Sequence, residues 1–589
     1  MTMTKKIFAL FLLFAVMAGT QAQIIYKRAS ASTTQTAIGN LYFNRNGSAD
    51  QWSLGTEGAG YSSLLDISKI TYITTKKAQQ NETNLAEALA NYVAPVYEDY
   101  YVSTAGWNDR VRWNLSQIHD PSVCLAEDGY YYMVQTDAGY GNPQAGKGHF
   151  LCRRSKNLVD WEFLGPTMPA GVPAWVEPKL NDIRAKMGLG KSSANFADET
   201  QFGFWAPCIR KVKDGLYRMY YVITIPGTIN GAGSWSERAF IGLMETATPA
   251  NANSWVDKGY VITNYSDKGL NFNVTGWQNC YFKFNAIDPS YIITPEGEHW
   301  LIYGSWHSGI AAVRLNGDTG KTLAEQGVPW GAENEAAYGK LIFTRTKNDR
   351  WQGAEAPEIV YHDGYYYLFM AYDALDVPYN TRVLRSKNVD GPYTTFDGVV
   401  ADAANGANNN PAVLTHPYKF GSDHGWVGIS HCAVFDDGQG NWFYVSQQRF
   451  PAHYNGNAYS NALMMGGVRS IKWLSNGWPV VMPERYGAVP QAEIGEAEIA
   501  GTWEHIDLGY SYGKQKASSQ MTFAADGSIT SGIWKGGRWS FNAATNTLTA
   551  NGVELKVQRE VDWEASPRTA TIVYSGLNGT KSYWGKKVR

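Results

Sequence analysis

One phrase recurs five times along this chain, with copies about 70 to 85 residues apart. Each copy is an acidic or polar residue, then Gly, then a run rich in aromatic and β-branched residues. The five pairs are Asp128-Gly129, Asp214-Gly215, Glu296-Gly297, Asp363-Gly364 and Gln439-Gly440. Such a pair is a turn signal that leads into a strand, and another short strand precedes each one, so the repeating unit is predicted to be a β-hairpin.

The number of copies predicts the fold. A single Asp-Gly pair usually marks an ordinary hairpin turn, but five in series indicate a repeat architecture. A four-stranded sheet cannot bury both faces alone, and radial stacking of sheets solves this while leaving only short edges. We therefore predict an all-β chain with a five-bladed β-propeller over residues 111–485. The loops between strands have enough residues to build a cleft on one face of the propeller.

Three further segments flank the predicted propeller. Residues 1–22 have two lysines, an apolar run and a small-residue end, as in a signal peptide. Residues 23–110 are predicted to be an N-terminal extension that packs on the propeller and includes a helix near Glu82 to Tyr92. Residues 494–589 contain short strands and close turns without the blade phrase, which predicts a small C-terminal β-barrel, lipocalin-like, or a sandwich.

Composition narrows the class of partner. The net charge is −2, with 51 basic and 53 acidic residues, so there is no basic stripe for nucleic acid. After residue 22 no apolar run is long enough to span a membrane. With the signal-like N-terminus, we expect export to the periplasm or the medium, and we expect the protein to be a monomer. Five cysteines in so long a chain do not form a disulfide scaffold. Aromatic residues make up 14% of the chain, which suits an uncharged ligand such as a sugar.

The candidate catalytic residues lie nine positions before each repeat glycine, where the innermost strand of each blade begins. These positions hold Asp120, Ala206, Asp288, Glu355 and His431. Equivalent positions converge in a radial fold, so three carboxyl groups and one imidazole are expected to meet at the axis. Clustered, partly buried carboxylates shift one another's pKa values, which is the asymmetry that acid/base hydrolysis of a glycosidic bond needs. Glu358, three residues after Glu355, competes with it as the acid.

The motifs around these positions resemble glycoside hydrolase family 43, and within it the endo-α-1,5-L-arabinanases. The matching segments are His119-Asp120-Pro121, Trp205-Ala206-Pro207, Asn285 to Asp288, Tyr303 to Trp306, Glu355-Ala356-Pro357 and His431. The C-terminal segment resembles the β-barrel appendage of the longer extracellular members. Three segments depart from the family pattern: Cys208 stands where Asp often follows Trp-Ala-Pro, Ser430-His431-Cys432 replaces Gly-His-Asn, and Ser305-Trp306-His307 replaces Ser-Phe-Trp.

This resemblance implies roles for individual residues. Asp120 would be the general base, Glu355 the general acid, and Asp288 the group that orients the acid and modulates its pKa. His431 would lie beside a calcium ion that is largely coordinated by water. The resemblance also implies that the arabinan subsites are lined by Asp120, Trp205, Gly227, Asn285, Ala286, Ile287, Asp288, Ser305 and Trp306.

Other functions stay open on the sequence. The expected activity is inverting cleavage of arabinan, with endo action favoured over exo action, and a xylan- or arabinoxylan-directed hydrolase of the same family is an alternative. A retaining fructan hydrolase is disfavoured because its usual Asn-Asp-Pro-Asn-Gly opening is absent. A propeller that binds carbohydrate without catalysis would be expected to lack one of the three carboxyl groups, and none is lacking.

Overall fold

The structure is a computed structural model that describes most of the chain. It describes strands between residues 22 and 74, and then residues 84–96, 107–137, 144–227, 237–266, 282–330, 335–347, 349–456 and 464–588. Except for Ala22, the predicted signal segment lies outside the described residues, as does Cys280. The chain divides into two compact units, Met1–Tyr92 with Pro490–Glu493, and Val93–Val489 with Ile494–Arg589.

The second unit contains five successive four-stranded antiparallel blades, which confirms the predicted propeller. Their strands are, in order, Ser122–Leu125, Tyr131–Val134, His149–Ser155 and Glu162–Met168 in blade 1; Gly203–Lys213, Leu216–Ile225, Arg238–Thr246 and Val256–Thr263 in blade 2; Ser290–Ile293, His299–Tyr303, Ile310–Leu315 and Lys340–Phe343 in blade 3; Ala354–His362, Tyr365–Tyr372, Asn380–Ser386 and Ala412–Thr415 in blade 4; and Val427–Asp436, Trp442–Arg449, Met464–Trp473 and Pro479–Val481 in blade 5. A short pair, Tyr265–Ser266 with Phe282–Phe284, lies between blades 2 and 3.

The repeat glycines explain why the phrase recurs. All five have positive φ, between 68° and 97°, in the turn between the first two strands of a blade. Residues with a Cβ rarely adopt this conformation, so a glycine there makes each tight turn favourable.

The ring is closed by residues that precede blade 1. Ser116 forms an antiparallel bridge with Met465 in the third strand of blade 5. The amides of Gln117 and Gly466 donate to the carbonyl groups of Met464 and Leu115 at 2.9 and 2.7 Å. The first and last blades are thus joined through backbone hydrogen bonds.

Few helices interrupt the described strands of this unit. The α-helices are Val176–Lys186, Glu335–Tyr338 and Glu496–Ile499, and the 3-10 helices are Trp107–Arg112, Glu199–Gln201, Ala252–Ser254, Tyr454–Gly456 and Ala543–Thr545. The helix Val176–Lys186 was not predicted; it buries Val176, Leu180 and Ile183, which share one face. Among the described helices, none is long and apolar enough to cross a membrane.

The C-terminal domain is the predicted barrel. Its eight-stranded sheet is formed by Gly501–Asp507, Ser519–Phe523, Ile529–Ser531, Trp539–Asn542, Thr547–Ala550, Val553–Asp562, Thr569–Asn578 and Lys581–Lys587. Ile529–Ser531 and Trp539–Asn542 are the two edges, and a bridge between Ser528 and Arg538 brings these edges together. The sheet is therefore a nearly closed barrel.

This barrel shares a hydrophobic core with blades 4 and 5. Trp584 is fully buried, its indole N–H donates to the carbonyl of Val481 at 2.8 Å, and its ring lies 4.9 Å from the ring of Tyr418. Tyr418–Lys419 also pairs with Lys516–Ala517 as a short parallel sheet. A shared core of this kind makes the barrel an integral part of the unit rather than a tethered module.

The first unit contains two small sheets. One is formed by Ala22–Arg28, Ala31–Ile38 and Ile67–Thr74, and the other by Leu41–Arg45, Trp52–Thr56 and Ser62–Ser63. A helix covers residues 84–90, inside the predicted helical segment. That residues 23–110 pack on the propeller stays a prediction.

Candidate active site

The innermost strands share a backbone distortion at the positions that carry the candidate catalytic residues. Asp120, Ala206, Asp288 and His431 have φ between 40° and 56°, in the left-handed region that is unfavourable for most residues. In blade 4 the residue with this conformation is Ala356, at φ 54°, and not Glu355. The predicted spacing of nine residues is therefore wrong by one in blade 4, where the backbone equivalent of Asp120 is Ala356.

A β-bulge accounts for Glu355's place in the site. The register between the first two strands of blade 4 shifts between Glu355 and Glu358, as it does between Trp205 and Cys208 in blade 2. A bulge redirects the side chains next to it. Glu355 and Trp205 thus occupy matching positions, each one residue before the left-handed residue.

Asp120 is buried among donors that favour its charged form. Its Oδ2 accepts a hydrogen bond from the Thr136 hydroxyl at 2.6 Å, and its Oδ1 lies 2.8 Å from Nδ1 of His431. Nε2 of His119 lies 3.3 Å from the same oxygen. Burial opposes ionisation, but His119, His431 and the hydrogen bonds outweigh it and hold the pKa of Asp120 below its usual range. Asp120 is therefore an ionised carboxylate, as a general base must be.

His431 supplies the positive charge beside Asp120. Burial alone would lower the pKa of this imidazole, but the charges of Asp120 and Asp288 raise it to about 9. His431 is therefore protonated at neutral pH and donates to Asp120. His119 differs, because burial lowers its pKa to about 4 and leaves it neutral.

Glu355 has the opposite environment from Asp120. Its two carboxyl oxygens accept hydrogen bonds from the hydroxyl groups of Ser305 and Tyr379, both at 2.7 Å. Burial raises the pKa of Glu355 above its usual range, although these two hydrogen bonds act against the shift. A carboxyl group that keeps its proton to higher pH is suited to donate it to a leaving oxygen.

Asp288 lies within electrostatic range of both groups. Its Oδ2 accepts from the backbone amide of Ala356 at 3.0 Å, which ties it to the strand that carries Glu355. Burial, with the charges of Glu355 and Asp120, raises the pKa of Asp288 well above its usual range. The structure thus brings together the four ionisable residues predicted from the repeat.

Glu358, the alternative candidate for the acid, is bonded by residues of three other blades. Its carboxylate accepts from Arg210 at 2.6 Å, from the hydroxyl of Ser290 at 2.7 Å and from the amide of Val434 at 3.0 Å. These partners come from blades 2, 3 and 5. A carboxylate whose oxygens are engaged by an arginine and two further donors fastens the blades together and is not directed at a substrate.

The predicted subsite residues fall into two groups. Ser305 and Asn285 lie near the acid, because Ser305 donates to Glu355 while Asn285 donates to the Ser305 carbonyl at 3.2 Å and accepts from Asn264. Trp306 is half-buried, and its amide donates to the carbonyl of Ala354 at 3.0 Å. Trp205 is also half-buried, and its indole occupies the space that a Cβ at Gly203 would need.

The remaining subsite predictions lie elsewhere. The side chains of Ala286 and Ile287 are 0% and 4% exposed and belong to the core shared by blades 2 and 3, which leaves only their backbone for a sugar. Gly227 is the last described residue before a gap and has φ of 140°. A side chain there would approach Glu237 to 3.3 Å.

The side chains around His431 would supply few of the ligands of a calcium ion, so water would have to supply most of them. Calcium is bound in proteins by six to eight oxygen ligands. The Nδ1 atom of His431 is engaged with Asp120, so only Nε2 could face an ion, and this residue offers no oxygen ligand. We therefore assign no step of the chemistry to a metal ion.

Sequence reasoning missed three contributors to the site. Thr136 donates to Asp120 and accepts from the amide of Ala206 at 2.7 Å, so it links blade 1 to blade 2. Tyr379 donates to Glu355, and Gln447 accepts from the amide of Asp120 at 3.1 Å. None has a local motif, since each contact joins residues 16 or more positions apart.

Comparison with known families agrees with this geometry. The model of glycosyl hydrolases family 43 matches residues 115–479, and that of a C-terminal lipocalin-like domain matches residues 483–585. The chain belongs to glycosyl hydrolases family 43. This family member is a glycosidase with an appended barrel, as the resemblance implied.

Individual relatives align with much of this chain. The extracellular endo-alpha-(1->5)-L-arabinanase of Thermotoga petrophila is 27% identical over 507 residues, which are 81% of this chain and 94% of that protein. The extracellular endo-alpha-(1->5)-L-arabinanase 2 of Bacillus subtilis is 25% identical over 503 residues, 80% of this chain and 92% of its own length. An extracellular exo-alpha-(1->5)-L-arabinofuranosidase of Cellvibrio japonicus is 27% identical over 373 residues, 62% of this chain and 86% of that protein.

A solved structure shows the same fold. The crystal structure of the endo-1,5-alpha-L-arabinanase from Thermotoga petrophila superposes with a TM-score of 0.60 and 23% identity, covering 81% of this chain and 99% of that chain.

Proposed function

We propose that this family 43 glycosidase hydrolyses α-1,5-L-arabinofuranosyl linkages in arabinan with inversion, using Asp120 as general base, Glu355 as general acid and Asp288 to orient and tune the acid. The observation that carries the assignment is the opposite shift of two buried carboxyl groups. The pKa of Asp120 is lowered by its imidazole partners, and that of Glu355 is raised by burial. The pKa of Asp288 is raised as well, but its carboxyl group is tied to the amide of Ala356 in the strand of the acid, which suits an orienting role. Groups whose environments separate their pKa values in this way are suited to act as base and acid.

The mechanism follows from these protonation states. Ionised Asp120 removes a proton from a water that attacks the anomeric carbon, while protonated Glu355 gives its proton to the departing glycosidic oxygen. Inversion requires that water fits between the base and the sugar, which is met at carboxyl separations of about 6.5–9.5 Å. The hydrogen bonds from Thr136 and His431 orient Asp120, and those from Ser305 and Tyr379 orient Glu355.

The substrate and the mode of cleavage rest on the relatives. Two of them are named endo-arabinanases and align over 81% and 80% of this chain, whereas the exo-acting relative aligns over 62% of it. We therefore infer endo action on arabinan. The exo-acting and arabinoxylan-directed alternatives use the same acid and base, so they differ only in the products formed.

Product analysis tests this proposal. Purified protein is incubated with linear α-1,5-arabinan, debranched arabinan and arabinoxylan, and the products are separated by anion-exchange chromatography over time. We expect oligosaccharides of several lengths from arabinan at early times and none from arabinoxylan. A single short product would establish exo action, release from arabinoxylan alone would overturn the substrate, and binding without products would indicate a non-catalytic propeller.

We also infer that the protein is exported by cleavage after Ala22, which its charged and apolar N-terminal segment and its extracellular relatives support. The intact mass of protein secreted into the medium or periplasm tests this inference. A mass that includes residues 1–22 would contradict it.

We infer, from the family resemblance alone, a calcium ion beside His431. Its binding would require His431 to lose its Nε2 proton, while Nδ1–H keeps its contact with Asp120 at 2.8 Å, and water would have to supply most of the oxygen ligands. Native mass spectrometry of the secreted protein is expected to show one calcium per chain, which is lost in His431→Ala. An unchanged metal content in that variant would contradict the assignment.

A further inference from the structure

A loop of the C-terminal domain reaches blade 4 close to the acid. The loop spans residues 508–515, between Gly501–Asp507 and Lys516–Ala517. The Tyr510 hydroxyl donates to Oδ2 of Asp373 at 2.9 Å, although the two residues are 137 positions apart. The next amide, of Ser511, donates to Nε2 of His416 at 3.2 Å. The loop is thus fastened to the propeller by specific polar contacts.

Asp373 is attached to the strand that carries Glu355. Its amide donates to the carbonyl of Gly353, two residues before Glu355, at 2.8 Å. One nitrogen of Arg345 donates both to this carbonyl, at 2.6 Å, and to Oδ1 of Asp373, at 2.8 Å. Asp373 has φ of 72°, so its own backbone is held in an unfavourable conformation by these contacts.

Asp373 is also attached to the hydrogen-bond partner of the acid. The side-chain amide of Asn380 donates to Oδ2 of Asp373 at 2.9 Å and to the carbonyl of Pro378 at 2.9 Å. These two contacts fix the backbone on both sides of Tyr379, whose hydroxyl donates to Glu355. Oδ2 of Asp373 therefore accepts hydrogen bonds from both the Tyr510 hydroxyl and the side-chain amide of Asn380, the residue that follows Tyr379.

The ring of Tyr510 closes this network on the C-terminal side. The guanidinium of Arg382, which is fully buried, lies 4.6 Å from the centre of the Tyr510 ring and 5.0 Å from that of Tyr372. Arg382 also donates to Oδ1 of Asn380 at 2.6 Å. Cation–π contact on two sides and exclusion of water both favour a single arrangement of these side chains.

We propose that Tyr510 is a positioning residue for the general acid, so that the C-terminal domain completes the active site of the propeller. Through Asp373, Tyr510 holds the Gly353–Glu355 segment and, through Asn380, the Tyr379 hydroxyl that bonds Glu355. This inference rests on the proposed role of Glu355. Small displacements of a catalytic group are costly, because proton transfer needs hydrogen-bond geometry to within a fraction of an ångström.

The test compares Tyr510→Phe with Tyr512→Phe in the full chain. Tyr510→Phe removes one hydroxyl and keeps the ring over Arg382, whereas Tyr512 lies in the same loop and is 64% exposed. We expect kcat on linear arabinan to fall about 5- to 20-fold in Tyr510→Phe with little change in KM, and to stay at the wild-type value in Tyr512→Phe. Tyr379→Phe should show a similar loss, and the double variant should be no slower than Tyr379→Phe alone.

A second substrate separates positioning of the acid from general damage. An arabino-oligosaccharide with a 2,4-dinitrophenyl leaving group needs no protonation, so Tyr510→Phe should cleave it at the wild-type rate. Equal losses on both substrates, multiplicative losses in the double variant, or wild-type kcat on arabinan would each overturn the inference. If Glu355→Gln keeps wild-type activity on arabinan, the proposed function fails as well. If Glu355→Gln is inactive and Tyr510→Phe has wild-type activity, Glu355 remains the general acid and only the role of Tyr510 is lost.

Discussion

Replacement of Glu355 by Gln is expected to lower kcat on linear arabinan by about 10²- to 10⁴-fold, the range that general acid catalysis contributes. Glutamine keeps the shape of the side chain. Its amide oxygen can still accept from one of the two hydroxyl groups, Ser305 or Tyr379, that hold the carboxyl group at 2.7 Å, and its NH2 group can donate to the other. It has no acidic proton for the glycosidic oxygen. On the dinitrophenyl oligosaccharide the same variant should retain most of its activity, because that leaving group departs as a stable anion.

The matched control is Glu358→Gln, three residues along the same strand. This residue pairs with Arg210 at the axis, so its replacement should lower the melting temperature while the folded enzyme keeps its activity. If Glu358→Gln were inactive on arabinan with a wild-type melting temperature, and Glu355→Gln were active, the acid would have to be Glu358.

The pH dependence of the wild type provides a second measurement of the same assignment. Activity requires protonated Glu355, so kcat/KM should fall as the pH rises through the pKa of this group. That limb should lie above the range of an ordinary glutamate, because burial raises the pKa of Glu355. No acidic loss is expected at moderately low pH, because the pKa of Asp120 is below its usual range. In Glu355→Gln the alkaline limb should vanish from the residual activity.

The parts of the fold that the sequence predicts are those with local causes. Each blade is predicted by a glycine in the turn after its first strand, because that turn requires positive φ. The same requirement recurs in all five blades, from Gly129 to Gly440. The C-terminal barrel is predicted by the close turns between its short strands. In both cases a few neighbouring residues determine the local geometry, and the repeat supplies the topology.

The prediction fails where the backbone departs from regular strand geometry. Counting nine residues from the glycine places Glu355 beside Asp120, but the left-handed residue of blade 4 is Ala356. The bulge at Glu355 has a counterpart at Trp205 in blade 2, where the count of nine holds. Blade 2 has a second register shift, between Lys211 and Lys213, that blade 4 lacks, so Ala356 lies one residue closer to its glycine. The contacts of Thr136, Tyr379 and Asp373 were also out of reach, because they join residues that are distant in sequence. The burial of Ala286 and Ile287 depends in the same way on the neighbouring blade.

Replacement of Asp120 by Asn is expected to lower kcat by a similar 10²- to 10⁴-fold, but on both substrates. Attack by water needs a base whatever the leaving group, so the dinitrophenyl oligosaccharide should not rescue this variant. The substitution preserves size, and the Thr136 hydroxyl, which accepts from the amide of Ala206, can still donate to the side-chain oxygen of Asn. The measurement is kcat on both substrates, with circular dichroism to verify folding.

Asp128→Asn is the matched control, since Asp128 is exposed in the turn at the other end of the same hairpin. It should have wild-type activity on both substrates. The two active-site variants then separate the roles by leaving group: the acid variant is slow only on arabinan, and the base variant is slow on both. If Asp120→Asn instead recovered activity on the activated substrate while Glu355→Gln did not, the roles would be exchanged. That result would contradict the pKa pattern, because the imidazole of His431 at 2.8 Å keeps Asp120 ionised and without a proton to donate.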